Sequence, residues 1–216
     1  MNRDSFVLLL KSRLTRAGDS TLDAKIISEL QFVQGILEAE AFLPWFLVGV
    51  NTSMVSVAAT ETVAPPATFL MELSEEKSLW IRNTDLTYSP LDKFEYSPLA
   101  TDEDYSGSGT PLAYSLLGNL FYLKPTPDAI FNFKLFGYFA DTVITTNIEN
   151  NWLKFAPDLM LAEVGKILAE KYMRDTELTA TFVNDASVAR SRLITVDTAR
   201  REASIEQVMQ YGDGFN

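Results

Sequence analysis

Apolar residues recur every three or four positions at both ends of this chain and every second position in its middle. Asp4 to Leu14 sets Phe6, Val7, Leu10 and Leu14 on one face at helical spacing. Ala17-Gly18-Asp19 interrupts the pattern, and Ser20, with Asp23 three positions on, reads as a capping box opening a second helix. That helix carries Leu22, Ile26, Leu30, Val33 and Leu37 down one stripe, which Ile27 and Ile36 widen. A short link between two such helices predicts an antiparallel pair. Pro44, within Leu43-Pro-Trp-Phe46, closes the segment, because proline disfavours helix in the residue before it.

From about residue 47 the period changes to two. Ser53–Val57, Thr68–Glu72 and Ser78–Ile81 read as strands, with Thr60–Pro66 as a turn-rich link. Residues 83–110, rich in Asp, Ser, Tyr, Pro and Gly, predict a long surface excursion. Leu112–Leu117 and Leu120–Leu123 flank Gly118-Asn119, two residues that tolerate the positive φ of a tight hairpin. Lys124-Pro-Thr-Pro-Asp128 predicts a further turn, and Ile130–Phe139 a strand with Phe131, Phe133 and Leu135 on one face and Asn132 and Lys134 on the other. Alternate aromatics of this kind are core more often than a platform for stacking sugars.

Helical spacing then returns. Trp152–Phe155 precedes Pro157, which suits a first helical position, and a helix to Tyr172 is expected to bury Leu161, Val164, Leu168 and Tyr172. Thr176 to about Glu206 predicts one long helix with Phe182, Ala186, Ala189, Leu193 and Val196 at heptad-like spacing, small enough for close approach. Its exposed face is expected to carry Arg190, Arg192, Arg200 and Arg201. The order helices, sheet, helices implies an α+β chain. The terminal helices are expected to form a helical bundle from residues 1–46 and 150–210, with an antiparallel β domain, 47–149, inserted between them and a flexible tail, 211–216.

Composition narrows the chemistry. The 216 residues contain no histidine and no cysteine. Ser-His-Asp and Cys-His catalysis, histidine or thiolate metal sites and disulfides are therefore impossible. Asp102-Glu-Asp104 lacks the register of a calcium loop, and Gly107-Ser-Gly109 lacks the strand–turn–helix setting of a dinucleotide site. No cofactor is implied, and only a carboxylate pair of the glycan-hydrolase kind stays open. The formal charge is −11, and residues 55–180 hold 18 Asp/Glu against 9 Lys/Arg. Such an acidic body repels phosphate and argues against sequence-specific DNA binding. Met1-Asn-Arg-Asp is polar and Phe6–Leu10 is short, so neither a secretory leader nor a membrane span is expected. The absence of cysteine fits synthesis in a reducing cytoplasm.

Four features, in order, resemble the head-to-tail adaptor proteins of short-tailed bacteriophages, the tail tubular protein A-like group. They are a helix pair running into Leu43-Pro-Trp-Phe46, the run Pro65-Pro-Ala-Thr-Phe-Leu70, the sequence Gly109-Thr-Pro-Leu-Ala-Tyr114 followed by the hairpin, and Asn151-Trp-Leu-Lys-Phe-Ala-Pro-Asp158 leading into small-residue and long helices. The resemblance covers residues 1–210. It implies a non-enzymatic virion protein of the neck, made in the host cytoplasm, with a portal protein on one side and a tail nozzle on the other. It also implies a homo-oligomer of twelve copies whose ring passes genomic DNA without specific binding. On that reading Arg190, Arg192, Arg200, Arg201, Tyr211 and Phe215 are the expected contacts with the portal or a neighbouring subunit. The alternatives are another neck or head-completion protein and, from a different class, a carboxylate-dependent glycan hydrolase or glycan-binding module.

Overall fold

The computed structural model describes residues 1–73, 77–97, 105–145, 147 and 149–212, with side chains described as far as residue 202. The chain is mixed α+β, with N-terminal helices, antiparallel sheet and C-terminal helices. It divides into two compact units, one of Met1–Leu47 with Asp141–Asn216 and the other of Val48–Ala140.

In the first unit, Asn2 caps α1 (Arg3–Arg13) by accepting from Ser5 N at 2.9 Å. Phe6, Val7, Leu10 and Leu14 are buried as the spacing requires. The second helix starts differently from expectation: Asp19, not Ser20, is the cap, and it accepts from Thr21 N. Its carboxylate holds a single 3-10 turn, Ser20–Leu22, before α2 (Asp23–Glu38) begins. The stripe Leu22, Ile26, Leu30, Val33 and Leu37 is buried, but Ile36 faces outward beside Phe32, which is 58% exposed.

Asn150 caps α3 (Asn151–Phe155), and Pro157 opens α4 (Pro157–Leu168) as predicted. In α4, Leu159, Met160, Leu161, Ala162, Val164, Gly165 and Leu168 are all buried, so this helix is apolar on nearly every side and sits at the centre of its unit. A π turn, Ala169–Met173, ends at Arg174 in the left-handed region. Tyr172 is partly exposed there and uses its hydroxyl instead, donating to Glu29 Oε1 at 2.8 Å beside Lys171 Nζ. Burial raises the Glu29 carboxyl, but these two hydrogen bonds outweigh it and hold the group below its ordinary range. The long helix α5 (Thr176–Gly212) follows. It includes residues 211 and 212, expected in a flexible tail, while 213–216 lie outside the described residues.

The boundary between the units falls at 140/141, not at 149/150, because Asp141, Ile144, Asn150 and Trp152 are tied to α2. Glu38 Oε1 accepts from Trp152 Nε1 (2.9 Å), Gln34 Nε2 (3.0 Å) and Asp141 N (3.1 Å). Gln31 reaches Ile144 O and Asn150 reaches Gln34, which keeps this buried polar group satisfied.

The second unit has three ladders. The first, in the order β1 (Val48–Val55), β11 (Asn132–Phe139), β4 (Leu79–Arg82), β5 (Tyr88–Pro90), also pairs β11 with β3 (Phe69–Glu72), all antiparallel. The second runs β2 (Thr62–Val63), β9 (Leu120–Lys124), β8 (Ala113–Leu117), β6 (Asp92–Lys93). The third joins β7 (Ser108–Gly109) to β10 (Thr126–Pro127). The predicted hairpin is present, with Gly118 at φ +58° and Asn119 at +64°. Four expectations need correction. The 83–110 region is no simple excursion, because β5, β6 and β7 lie in it and Leu91 is 1% exposed in the core; residues 98–104, including Asp102-Glu-Asp104, lie outside the described residues. The Lys124–Asp128 turn includes strand β10, and Thr60–Pro66 includes β2. The unit is not wholly antiparallel, since β6 pairs β8, and β10 pairs β7, in parallel.

Phe133, Leu135, Phe121, Leu123 and Tyr114 join Leu91 in that core, which makes the aromatic strand structural. Tyr114 Oη donates to Glu72 (2.8 Å) and accepts from Ser78 N (3.1 Å), while Lys93 neutralises the same carboxylate at 2.7 Å. Burial and then the Glu72 charge push the phenol well above its ordinary pKa, so it stays a donor.

Gly165 of α4 is where the chain admits a neighbour most closely among the glycines described in the helical unit. A methyl group there would lie 2.5–2.7 Å from the ring of Phe182, which is 2% exposed. Gly165→Ala is expected to cost about 1–3 kcal/mol through overpacking, despite the better helix propensity of alanine. A urea midpoint equal to or above that of the native chain contradicts this packing.

Candidate interaction surface

The heptad-like positions decide how α5 lies. Phe182, Ala186 and Leu193 are buried and Ala189 is half-buried, as the small-residue spacing predicts. The seam then departs from expectation. Val196 is 44% exposed, and the next inward position is Asp197, 2% exposed. Asp197 Oδ1 accepts from Trp45 N at 2.7 Å and Oδ2 from Arg201 Nε at 2.6 Å, while Arg201 Nη2 reaches Leu43 O at 3.3 Å. The Leu43-Pro-Trp-Phe46 segment, which cannot be helical before its proline, thus has its free backbone groups met by α5.

The four arginines do not share one face. Arg190 is half-buried and turned toward its own unit, where it pairs with Glu40 and, at 3.2 Å, with Glu163 of α4. This corrects its expected placement on the exposed face: two carboxylates from neighbouring elements draw it inward. Arg201 is engaged as above. Arg200 lies over the Trp45 ring at 4.3 Å, a cation–π contact. Arg192 is exposed and makes no ion pair among the described residues. Tyr211 is in the helical backbone, but its side chain, like Phe215 entirely, lies outside the described residues.

Around Trp45 the rings close up. Trp45 meets Phe46 edge-on at 5.2 Å and Phe155 at 5.8 Å, and Phe46 meets Trp152 at 5.1 Å. A groove of about 130 Å³ opens beside them, with Phe155, Leu193 and Val196 along it and Asp158 and Arg192 at its edge. The outward face of α5 is different in kind. Val183, Ser187, Val188, Ser191, Ile194 and Thr195 are exposed and uncharged. Ser191 Oγ donates to Ser187 O (3.0 Å), Thr195 Oγ1 to Ser191 O (2.9 Å) and Thr198 Oγ1 to Ile194 O (3.0 Å). Their hydroxyl hydrogens are spent inside the helix, so apart from the Asn184 amide and the Ser187 hydroxyl this face offers mainly carbon outward. On α2, Ser28, Phe32, Gly35 and Ile36 form a second uncharged exposed stripe.

Asp197, Glu40 and Glu163 are the residues that sequence reasoning missed. Only the four-residue spacing of Asp197 and Arg201 was available as a signal. Among the described residues no three His, Cys, Asp or Glu side chains are grouped to hold a metal ion, and no described helix is long and apolar enough to cross a membrane. The chain matches no protein-family model and no curated protein sequence.

Removing the Asp197 carboxylate leaves the part-buried N–H of Trp45 without its acceptor, whereas removing its half-exposed arginine partner leaves that bond intact. Asp197→Ala is expected to cost about 2–3 kcal/mol, and Arg201→Gln to cost less, in urea denaturation followed by tryptophan fluorescence. Equal losses for the two would contradict the role given to the Trp45 N–H.

Proposed function

We propose that this chain is a structural adaptor of a phage neck, one wedge of a twelve-copy ring between a portal and a tail nozzle. The ordered motifs of the sequence support this reading, as does the α+β order of the chain. Its fold is read in finer detail as a helical bundle of the terminal helices with the β unit inserted in its sequence. The observation that carries the reading is the outward face of α5. Over residues 183–195, about 18 Å of helix, it is uncharged on a chain whose net charge is −11. A solvated helix in so acidic a protein has no need of such a face; a helix covered by a neighbour does.

Ring closure by identical copies requires head-to-tail contact between two different patches. The α5 face and the Phe32–Ile36 stripe of α2 are two such patches. Arg192, Arg200 and Arg201, with Tyr211 and Phe215, supply polar and aromatic contacts to the portal or to the adjoining copy. The acidic body suits a channel through which DNA slides, because like charge opposes the counterion release that drives binding. Assembly, not catalysis, is the activity.

The test is the mass of the full chain alone and with a portal ring, measured by native mass spectrometry. Twelve copies per portal ring are expected. A chain that stays a monomer in the presence of the portal, or that binds it in another number, overturns the reading.

A further inference from the structure

Gly35 has no reason to be glycine within its own chain. It lies inside α2, where glycine weakens a helix, yet a methyl group there would meet nothing within 4 Å. The close approach of another backbone is what such a position serves. Gly35 belongs to an exposed stripe of Lys25, Ser28, Phe32, Gly35, Ile36 and Ala39, in which Lys25 is the only charge. On α5 the outward stripe begins at Glu177 and passes Ala180, Asn184, Ser187 and Ser191 to reach Arg192. Lys25, Glu177 and Arg192 make no ion pair among the described residues, and Lys25 lies over the Tyr172 ring at 4.7 Å.

Charge runs in opposite order on the two stripes. Lys25 opens the first and Glu40 lies just past its end, whereas Glu177 opens the second and Arg192 closes it. Each pair is 15 positions apart. Laid parallel, a single register therefore sets Lys25 against Glu177 and Glu40 against Arg192, and it brings Gly35 to Ser187 and Ala39 to Ser191. Glu40 pairs with Arg190 of its own chain but keeps 29% of its side chain exposed. We propose that in the ring α2 of one copy lies parallel on the outward face of α5 of the next copy, in this register, with Gly35 at the closest approach. Ile36, 44% exposed, then arrives at the shallow hollow lined by Ser187, Val188, Ser191 and Thr195.

The fold supports the same register without reference to charge. Inside one copy α2 and α5 both pack on α4. They run the same way, since Lys171, just before α5, meets Glu29 at 2.8 Å and Arg190 meets Glu40. Residue 40 is thus level with residue 190. A closed ring has no rise, so rotation about an axis along these helices preserves that level. Glu40 then reaches the neighbouring α5 within one turn of Arg192. The proposal deepens the adaptor reading and rests on its premise of a closed ring.

The experiment uses full-length chains with one cysteine each: Ser28→Cys, Ala180→Cys and Thr195→Cys. They are mixed in pairs and oxidised in about 1 M salt, where charge repulsion is screened beyond about 3 Å. Chains with a single thiol form disulfides only between copies. The register sets position 28 beside position 180, whereas position 195 lies about 22 Å further along α5. Ser28→Cys is expected to join Ala180→Cys at least about tenfold faster than it joins Thr195→Cys. Adding Gly35→Leu to the Ser28→Cys chain is expected to abolish this preference without lowering its urea midpoint, because the new side chain enters open space. Equal rates for the two mixtures, no mixed disulfide faster than Ser28→Cys forms with itself, or a preference that survives Gly35→Leu each overturns the proposal. Portal loading of the native chain, measured in parallel, separates the two readings. Twelve copies on a portal without the preference leave the adaptor standing and remove this contact; the preference without portal loading does the reverse.

Discussion

The contact of α5 with α4 is what the helical unit depends on. Gly165 admits the Phe182 ring, Ala186 and Ala189 keep the seam narrow, and Asp197 ends it by taking the Trp45 N–H. Apolar packing fixes the helix at one end and a buried carboxylate at the other. Because α4 is buried nearly all round, it has no second face to offer. Helix α5 is therefore held along one side only, and the outward side of residues 183–195 is left as surface.

That one-sidedness gives the structure its functional meaning. Arg190 is drawn inward by Glu40 and Glu163, and Asp185 is half-buried near Arg13, at 3.8 Å. Arg190 and Asp185 are thus paired at the margins of α5 while Arg192 stays exposed, and the strip between them is uncharged, of carbon, the Asn184 amide and hydroxyls mostly bonded within the helix. A protein with a net charge of −11 repels its own copies at long range. Uncharged strips are where that repulsion is weakest and where close packing can outweigh it. On the proposed reading, acidity opposes association of free copies, and packing at defined patches joins them within the ring.

Much of this was legible in the sequence, for reasons that can be named. Helices and the Gly118-Asn119 hairpin are set by local spacing and by residues that tolerate positive φ, so they were readable. Leu91 was not, because its neighbours are turn formers and its burial depends on the distant Leu79, whose carbonyl accepts from Leu91 N. Asp19 displaced Ser20 as cap because a carboxylate one position earlier could reach the Thr21 N–H. At the seam, apolar spacing pointed to Val196, whereas the structure uses Asp197, since a proline-bounded loop there had an N–H to satisfy. Ile36 is apolar and exposed, and no hydrophobic pattern can separate a residue that faces its own core from one that faces outward. The inward turn of Arg190 likewise depends on Glu40 and Glu163, which are remote in sequence.

The chain has no cysteine, so Ser191→Cys introduces a single thiol on the outward face of α5. The most direct measurement is its rate of maleimide labelling in the free chain and in the complex formed with a portal ring. Fast labelling when free and strong protection in the complex are what a helix covered by its neighbour predicts. Equal rates in the two states would show the α5 face still in water, and the assembly account would fail with it.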